Sequence, residues 1–366
     1  MKRKILCVIG TRPEAIKMAP VILALKQEPW VNVRILATAQ HRQMLDQVTD
    51  FFDIDPDIDL NAMSPNQTLT TLTARLLLKL DDVLQTEKPD AVLVQGDTTT
   101  VMTVALICFY QHILIGHIEA GLRTWDIQNP FPEEANRAIA GKLAHWHFAP
   151  TEGARRNLLK EGVLDSEIIV TGNTVIDALL MSVAKDLELS VPVSPAKRLI
   201  LVTSHRRENF GEPLRNICRA LRTLAENNHA AHFLYPVHPN PNVKDVAHEF
   251  LAGLPNFTLC EPMDYAPFVA AMKRSYIILT DSGGVQEEAP AIGKPTLVLR
   301  DETERPEAVE QGVVKLVGPN YKRIVTETQR LLDDESSYKA MARGISPYGD
   351  GRAAERIVKT LREHFT

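Results

Sequence analysis

The sequence predicts an α/β protein with two doubly wound parallel sheets. Short β-branched, apolar runs alternate with longer helical patterns along the whole 366-residue chain. The strand-like runs are apolar at successive positions, as strands are when helices cover both faces of a parallel sheet. Leu189–Ala196, rich in proline and serine, interrupts the alternation and predicts a linker. We therefore expect two domains, residues 1–189 and 197–350, that face each other across a cleft.

The first half begins with an apolar strand and then a helix with proline in its first turn, a favoured position for that residue. Its predicted strands are Ile5–Ile9, Val33–Thr38, Ala91–Gln95, Ile113–Ile118, Trp146–Ala149 and Ile168–Val170. Its predicted helices include Pro13–Gln27, Gln40–Phe51, Leu69–Gln85 and Thr98–Tyr110.

The second half repeats the pattern after the linker. Its predicted strands are Leu199–Thr203, His232–Pro236, Thr258–Leu259, Tyr276–Thr280 and Thr296–Leu299. Because doubly wound sheets bind ligands beyond the carboxyl ends of their strands, functional side chains are expected in the segments that follow the strands.

Composition and charge exclude several classes of protein. A net charge of −5 lacks the basic excess of a nucleic-acid binder. No apolar run approaches the roughly 20 residues of a membrane span, so no membrane partner is expected. The four cysteines form no C-x-x-C pair and are predicted to be buried thiols in a reducing compartment. The expectation is a cytoplasmic protein.

Cofactor signatures are missing from the sequence. The first strand is not followed by G-x-G-x-x-G, and no G-x-x-x-x-G-K-[ST] occurs. His145 and His147 have a metal-like spacing, but the interpretation favoured here is two residues of one strand, because no third ligand is indicated. We therefore expect neither a nicotinamide cofactor nor a metal.

Two strand-to-helix turns are candidates for anion binding. Gly10–Lys17 follows the first strand and places Arg12 at a helix N-terminus, with Lys17 one turn further on. Thr280–Glu288 follows a strand of the second half and contains Ser282 and two glycines before a helix. Helix N-termini favour anions, although each turn is also compatible with an ordinary capped helix.

Acidic and basic residues follow other strands. Asp97, Glu119 and Glu133 are expected at the carboxyl side of the first sheet, where they would form an acid–base cluster. Singly, each is also explained by helix capping or by the helix dipole. His205 follows the first strand of the second half and precedes two arginines, a residue type that binds phosphate bidentately.

Together these segments resemble the non-hydrolysing UDP-N-acetylglucosamine 2-epimerases through almost the whole chain. The resemblance implies the glycosyltransferase-B architecture: two Rossmann-like domains, a C-terminal helix (residues 351–366) that packs on the first domain, and a homodimer. The segments that carry it are Gly10–Lys17, Ala39–Arg42, Gly96–Thr100, Glu119–Arg123, Pro132–Arg137, Gly172–Asp177, His205–Asn209, Pro236–His238, Asp281–Pro290, Glu304–Glu307 and Pro347–Gly351.

The resemblance also implies roles for individual residues. The diphosphate of the substrate would be held by Arg12, His205, Ser282, Gly283 and Gly284. Glu288 would bind the ribose, and the segment around Phe268 would bind the uracil. The catalytic group would be Asp97, Glu119, Glu133 and His205, with Lys17 nearby.

Some family members carry a second UDP-N-acetylglucosamine as an activator. Here Gln40, Gln43 and His238 match residues around that molecule, whereas an arginine of some members is replaced by the segment Ser64–Gln67. The partners expected are therefore UDP-N-acetylglucosamine, as substrate and activator, and UDP. The alternatives are a hydrolysing 2-epimerase that releases N-acetylmannosamine, a glycosyltransferase and a non-catalytic sugar-nucleotide sensor.

Overall fold

The chain divides into two compact units. The computed structural model describes residues 2–38, 42–64 and 67–366, with the backbone alone for residues 42–44. Unit 1 comprises Met1–Met181 with Tyr348–Thr366, and unit 2 comprises Ser182–Pro347. Each unit is built on one parallel sheet, so the predicted α/β fold class is confirmed.

Unit 1 contains a seven-stranded sheet in the order β3-β2-β1-β4-β5-β6-β7. Its strands are β1 (Arg3–Ile9), β2 (Val31–Ala37), β3 (Ile58–Asp59), β4 (Ala91–Gln95), β5 (Leu114–Ile118), β6 (Trp146–Ala149) and β7 (Ile168–Val170). Its helices in the main run are α1 (Arg12–Lys26), α2 (Arg42–Phe52), α3 (Leu69–Glu87), α4 (Thr99–Tyr110), α5 (Glu133–Leu143), α6 (Glu152–Lys160) and α7 (Thr174–Val183).

Unit 2 contains a six-stranded sheet in the order β10-β9-β8-β11-β12-β13. Its strands are β8 (Arg198–Thr203), β9 (Ala231–Pro236), β10 (Phe257–Cys260), β11 (Ser275–Thr280), β12 (Thr296–Val298) and β13 (Val314–Leu316). Its helices are α8 (Glu212–Asn227), α9 (Pro241–Leu251), α10 (Tyr265–Arg274), α11 (Gly283–Ala291), α12 (Pro306–Glu310), α13 (Tyr321–Asp333) and α14 (Glu335–Met341).

The last helix, α15 (Ala353–Phe365), returns to unit 1 and packs against α1. Its buried side chains include Ile357, Val358 and Leu361, which recur at the spacing of one helical face. Asp177 of α7 accepts a hydrogen bond from the backbone N–H of Ala354 at 2.8 Å, which caps the start of the helix.

The strand orders determine where ligands are expected in each unit. In unit 1 the order reverses between β1 and β4, and in unit 2 between β8 and β11. At such a reversal the loops diverge to opposite faces and leave a crevice outside the carboxyl ends of the strands. The segments after these four strands carry Arg12, Asp97, His205 and Ser282.

Over the described residues, the predicted elements correspond to observed ones with bounds that agree within two residues. The start of the predicted helix Gln40–Phe51 lies outside the described residues. The bounds predicted for β4, β6 and β7 are those observed. The outer strands β3 and β13 were missed, because two and three residues are too few to show a pattern. The predicted linker is irregular in structure, although unit 2 already begins at Ser182. No helix in the described part of the chain is both long enough and apolar enough to cross a membrane.

Candidate active site

The carboxylate of Glu119, just after β5, is held by three side chains. Nζ of Lys17 donates to both of its oxygens at 2.7 Å. Nδ2 of Asn173 donates to Oε1 at 2.9 Å, and the amide of Gln95 donates to Oε2. The Glu119 side chain is 6% exposed, so these donors replace the water that burial removes. Its φ of 65° is uncommon outside glycine and is a feature found at functional sites.

Asp97 lies after β4 and is coupled to the same cluster. Arg137 donates to its carboxylate, and Nδ2 of Asn136 donates to its backbone carbonyl at 3.0 Å. Burial raises the pKa of Asp97; Arg137 opposes this effect, whereas the charge of Glu119 adds to it. A carboxyl group with a raised pKa is suited to giving and taking protons near neutral pH.

The two adjacent acids at the start of α5 have different environments. Glu134 is buried, accepts the backbone N–H of Thr124 at 3.0 Å and that of Trp125 at 3.1 Å, and pairs with Arg137 at 3.1 Å. Glu133 lies beside a pocket of about 140 Å³. Glu134 therefore fixes the preceding loop, whereas Glu133 faces space that a ligand can enter.

A buried histidine supports the turn that carries Asp97. Nε2 of His117 lies 2.7 Å from the carbonyl oxygen of Gly96, so this nitrogen carries the proton and donates. Burial lowers the pKa of His117 to about 4, and the ring is therefore neutral at pH 7. The backbone on either side of Asp97 is thus fixed by Asn136 and His117.

The turn between β1 and α1 is stabilised by Glu14. This carboxylate accepts the N–H of Gly10 at 2.8 Å, the N–H of Thr11 at 2.6 Å and the hydroxyl of Thr98 at 2.6 Å. Two of the backbone donors that the sequence offered for an anion are therefore already used by the chain itself. We therefore expect the side chain of Arg12, the first residue of α1, to make the anion contact of this turn.

In unit 2, two guanidinium groups flank the start of α11. A Cβ added to Gly283 would lie 3.4 Å from Cζ of Arg305 and 3.6 Å from Nη2 of Arg206. Ser282 is the N-cap residue, and its side chain makes no capping hydrogen bond. Backbone N–H groups, the helix dipole and two arginines therefore converge on one place, which favours a phosphate group.

Hydrogen bonds help to hold Arg305 in this position. Its Nε donates to Oε1 of Glu287 at 2.7 Å, and its backbone N–H donates to the hydroxyl oxygen of Thr303 at 3.1 Å. Thr303 donates to Oε1 of Gln286 at 2.6 Å, and Nε2 of Gln286 donates to the carbonyl of Ser282 at 3.2 Å. This chain of hydrogen bonds connects the arginine to the helix N-cap.

Fully buried Asp281 fixes the loop that contains His205. Its carboxylate accepts the backbone N–H of His205 at 2.9 Å, the N–H of Arg206 at 3.0 Å and the hydroxyl of Ser204 at 2.9 Å. The exposed ring of His205 stacks on His238 with 5.8 Å between centroids. Desolvation by the surrounding protein lowers the pKa of His205 although its side chain is 41% exposed, and the charge of Asp281 opposes this effect.

Glu288 and Phe268 lie in the same unit. Oε2 of Glu288 is 3.8 Å from the position of a Cβ on Gly284, so its carboxylate lies directly beside the glycine turn. Phe268 is half-buried on α10, the helix that also carries Tyr265. Burial raises the pKa of Tyr265, and the charge of Glu288 raises it further.

Comparisons with known proteins identify the family of the chain. A model of the family described as UDP-N-acetylglucosamine 2-epimerase matches residues 23–362. The chain belongs to the UDP-N-acetylglucosamine 2-epimerase family. It is 53% identical to the UDP-N-acetylglucosamine 2-epimerase of Escherichia coli K12, an alignment that covers 99% of each chain.

Solved structures give the same assignment. The UDP-N-acetylglucosamine 2-epimerase of Neisseria meningitidis, solved with UDP-N-acetylglucosamine bound, superposes with a TM-score of 0.88 at 49% identity, over 98% of this chain and all (100%) of that one. The glycosyltransferase of kitacinnamycin superposes with a TM-score of 0.65 at 12% identity, over 99% of this chain and 100% of that one. That second similarity concerns the fold alone.

Within this 2-epimerase the predicted residues fall into two groups. Unit 1 contains Lys17, Asp97, Glu119 and Glu133 at one edge of its sheet, with Arg12 after β1. Unit 2 contains the remaining described candidates, which are His205, His238, Phe268, Ser282, Gly283, Gly284 and Glu288. Gln40 and the side chain of Gln43 lie outside the described residues. Among the residues with a described structure, no cluster of His, Cys, Asp or Glu is arranged to hold a metal.

The site of the 2-epimerase also contains residues that the sequence prediction did not assign. Gln95 and Asn173 bind Glu119, Arg137 binds Asp97, and Arg206 and Arg305 flank Gly283. The sequence signals were the pair of arginines after His205 and the family-like segments that contain Arg137, Asn173 and Arg305, none of which was given a role. The other contacts join segments far apart in the chain and depend on the strand order.

Proposed function

We propose that this chain interconverts UDP-N-acetylglucosamine and UDP-N-acetylmannosamine without releasing the free sugar. Family membership supports the 2-epimerase activity. The observation that carries the proposal is the coupled acid cluster of Asp97 and Glu119, with Glu133 beside a pocket at the same sheet edge. Such a cluster supplies the proton transfers that inversion at C2 requires.

The chemistry of the sugar restricts the route. C2 is not adjacent to a ring carbonyl, so direct removal of its proton would give an unstabilised carbanion. Departure of UDP from C1 creates oxocarbenium character, which acidifies the C2 proton. Loss of that proton gives 2-acetamidoglucal and UDP. Protonation of C2 from the opposite face and re-addition of UDP to C1 then give the epimer, with no net consumption of any group.

Stabilisation of the departing UDP is assigned to the cationic and N–H donors. Arg12, His205, Ser282, Gly283 and Gly284 are proposed to contact the diphosphate. Arg206 and Arg305 add two charged donors beside Gly283. Hydrogen-bond donors that are fixed in place before charge develops on the departing UDP lower the activation barrier without having to reorganise. The hydrogen bonds of Arg305 fix its guanidinium group in this way.

The proton transfers are assigned to the three acids of unit 1. Asp97, with its raised pKa, suits a group that gives a proton as readily as it takes one. Glu119 is ion-paired with Lys17 of α1, the helix that begins at the predicted diphosphate contact Arg12. Glu133, at the pocket, is the third proton-transfer candidate. Glu288 and Phe268 are proposed to bind the ribose and the uracil.

Isotope exchange in heavy water tests this mechanism. UDP-N-acetylglucosamine labelled with ¹⁸O in the bridge between C1 and phosphorus should gain deuterium at C2 of the product. The label should also move into non-bridging positions, because the free diphosphate rotates before it re-adds. Deuterium entry with an unscrambled bridge would show that the C1–O bond stays intact and would overturn the mechanism.

Product analysis separates the proposed activity from the alternatives. With UDP-N-acetylglucosamine as the sole substrate, the expected product is UDP-N-acetylmannosamine. Free N-acetylmannosamine with UDP would instead identify a hydrolysing epimerase. Turnover only after addition of an acceptor would identify a glycosyltransferase, and binding without turnover would identify a sensor.

Four further assignments belong to this proposal. Gln40, Gln43 and His238 are proposed to bind a second UDP-N-acetylglucosamine that activates the enzyme, which sigmoidal substrate dependence would support and strictly hyperbolic rates would refute. A homodimer is proposed, and light scattering after gel filtration measures it. The cytoplasm is proposed as the location because the cysteines are free thiols, and the product is proposed to supply surface polysaccharide synthesis.

A further inference from the structure

The pocket beside Glu133 has two chemically different walls. Its volume is about 140 Å³, and all of its lining residues belong to unit 1. One wall is apolar and comes from α3 and the segment before it, through Met63, Leu72 and Leu76. The polar part of the lining comes largely from the starts of α4 and α5, including Thr99 and Glu133.

The polar wall has a donor and an acceptor for a ligand. The hydroxyl of Thr98 is committed to Glu14 at 2.6 Å, and that of Thr100 lies 3.2 Å from the hydroxyl of Thr38. Among these threonines, Thr99 is therefore the one whose hydroxyl the described part of the chain leaves for a ligand. The carboxylate of Glu133, an acceptor, lines the same space.

We propose that this pocket binds the 2-acetamido group of the sugar and makes the enzyme selective for short N-acyl substrates. The inference rests on the proposed function, in which the acids act at C2. Because the amide nitrogen is bonded to C2, it lies beside those acids whenever they act. The amide N–H then faces Glu133, the carbonyl accepts from Thr99, and the methyl group contacts Leu72 and Leu76.

The size of the pocket agrees with this occupant. An acetamido group has four non-hydrogen atoms. If each atom occupies somewhat less than the ~30 Å³ of a water molecule, the group needs roughly 100 Å³. If the sugar carried a hydroxyl group at C2 instead, most of the cavity would stay unfilled and no atom of the sugar would contact the apolar wall. At the same volume per atom, an N-propanoyl group needs roughly 125 Å³ and still fits, whereas an N-butanoyl group needs roughly 150 Å³. The longer chain would therefore press against Leu76, which is 1% exposed and belongs to the core of unit 1.

The test compares UDP-glucosamine substrates with N-acetyl, N-propanoyl and N-butanoyl groups. For the wild type, kcat/KM should fall by roughly 10- to 200-fold with each methylene group that the pocket cannot accommodate. Leu72→Ala, which enlarges the pocket, should shift this preference towards the longer chains by at least about 10-fold. Leu80→Ala is the matched control, because it truncates a buried leucine of the same helix that does not line the pocket.

Thr99→Val provides a second test that does not alter the core, since Thr99 is only half-buried and valine preserves its shape. It should lower kcat/KM for the N-acetyl substrate by roughly 2- to 13-fold, the range for one hydrogen bond, and leave the affinity for UDP unchanged. Unaltered acyl preference in folded Leu72→Ala, together with unaltered kinetics in Thr99→Val, would overturn the proposal.

Calorimetry separates failure of the pocket from failure of the proposed reaction. The affinities of the three N-acyl compounds give the acyl preference without turnover. A chain that prefers the N-acetyl compound but forms no epimer would overturn the reaction and support the pocket. A chain that forms the epimer from all three compounds at equal rates would overturn the pocket and support the reaction.

Discussion

Acid should destabilise unit 1 through two buried histidines, His117 and His147, which are register partners on β5 and β6. Each is 1% exposed, and burial lowers the pKa of each ring to about 4. The charge of one ring further disfavours protonation of the other. Both are therefore neutral in the folded state at any pH well above 4.

The sign and size of the effect follow from proton linkage. Between pH 6.5 and 4 the unfolded chain protonates these rings and the folded chain does not. Unfolding then takes up protons, so stability falls as the pH falls through this window and levels off below the folded pKa. One ring contributes roughly 2–3 kcal/mol of lost stability between pH 7 and pH 4.5.

The perturbation is His147→Gln, which preserves an amide donor for the contact with the backbone of Ala144 and removes the titrating group. The three tryptophans, Trp30, Trp125 and Trp146, all lie in unit 1, so their fluorescence reports the unfolding of that unit. Urea denaturation at pH 7 and at pH 4.5 gives the free energy of unfolding.

The variant should lose roughly 2–3 kcal/mol less than the wild type over this pH interval. The control, His229→Gln, removes an exposed histidine of unit 2 and should behave like the wild type. Equal losses in wild type and His147→Gln would show that the buried ring is already charged in the folded state, and the reasoning would be refuted.

Three further outcomes are expected. Asp97→Asn and Glu133→Gln should each slow deuterium entry at C2 by roughly 10²–10⁴-fold, the usual effect of a positioned proton-transfer group; a fully active variant would remove its residue from the catalytic set. Arg305→Gln should weaken UDP binding by roughly 1.5–3 kcal/mol in calorimetry, the range for a hydrogen bond to a charged group, and an unchanged affinity would place the diphosphate elsewhere. Gly10→Ala should lower the free energy of unfolding of unit 1 by roughly 1–3 kcal/mol. The reason is that the added Cβ would lie 2.8 Å from the hydroxyl oxygens of Thr38 and Thr100. Undiminished stability in urea denaturation would contradict this close packing.

The sequence by itself determined the architecture and the edge of each sheet at which ligands are expected. Apolar strands alternating with helices require parallel sheets covered on both faces, because short β–α–β connections bury both sides of each strand. The strands β4, β6 and β7 could be bounded to the residue because polar or turn-forming residues end them abruptly. Local patterns also placed Asp97, Glu119 and Ser282 directly after strands, and the resemblance to a known family gave their proposed roles.

Only the tertiary structure decided which side chains meet. Asn173 reaches Glu119 across 54 residues, and Arg305 lies beside Gly283 although 22 positions separate them. By its position in the sequence, Glu14 is an ordinary acidic residue in the first turn of a helix. In the structure it accepts hydrogen bonds from the N–H groups of Gly10 and Thr11, which the sequence had indicated as donors to an anion. The physical reason is that such contacts depend on strand order and register, which bring together loops that are distant in the chain, whereas periodicity and capping signals extend over only a few residues.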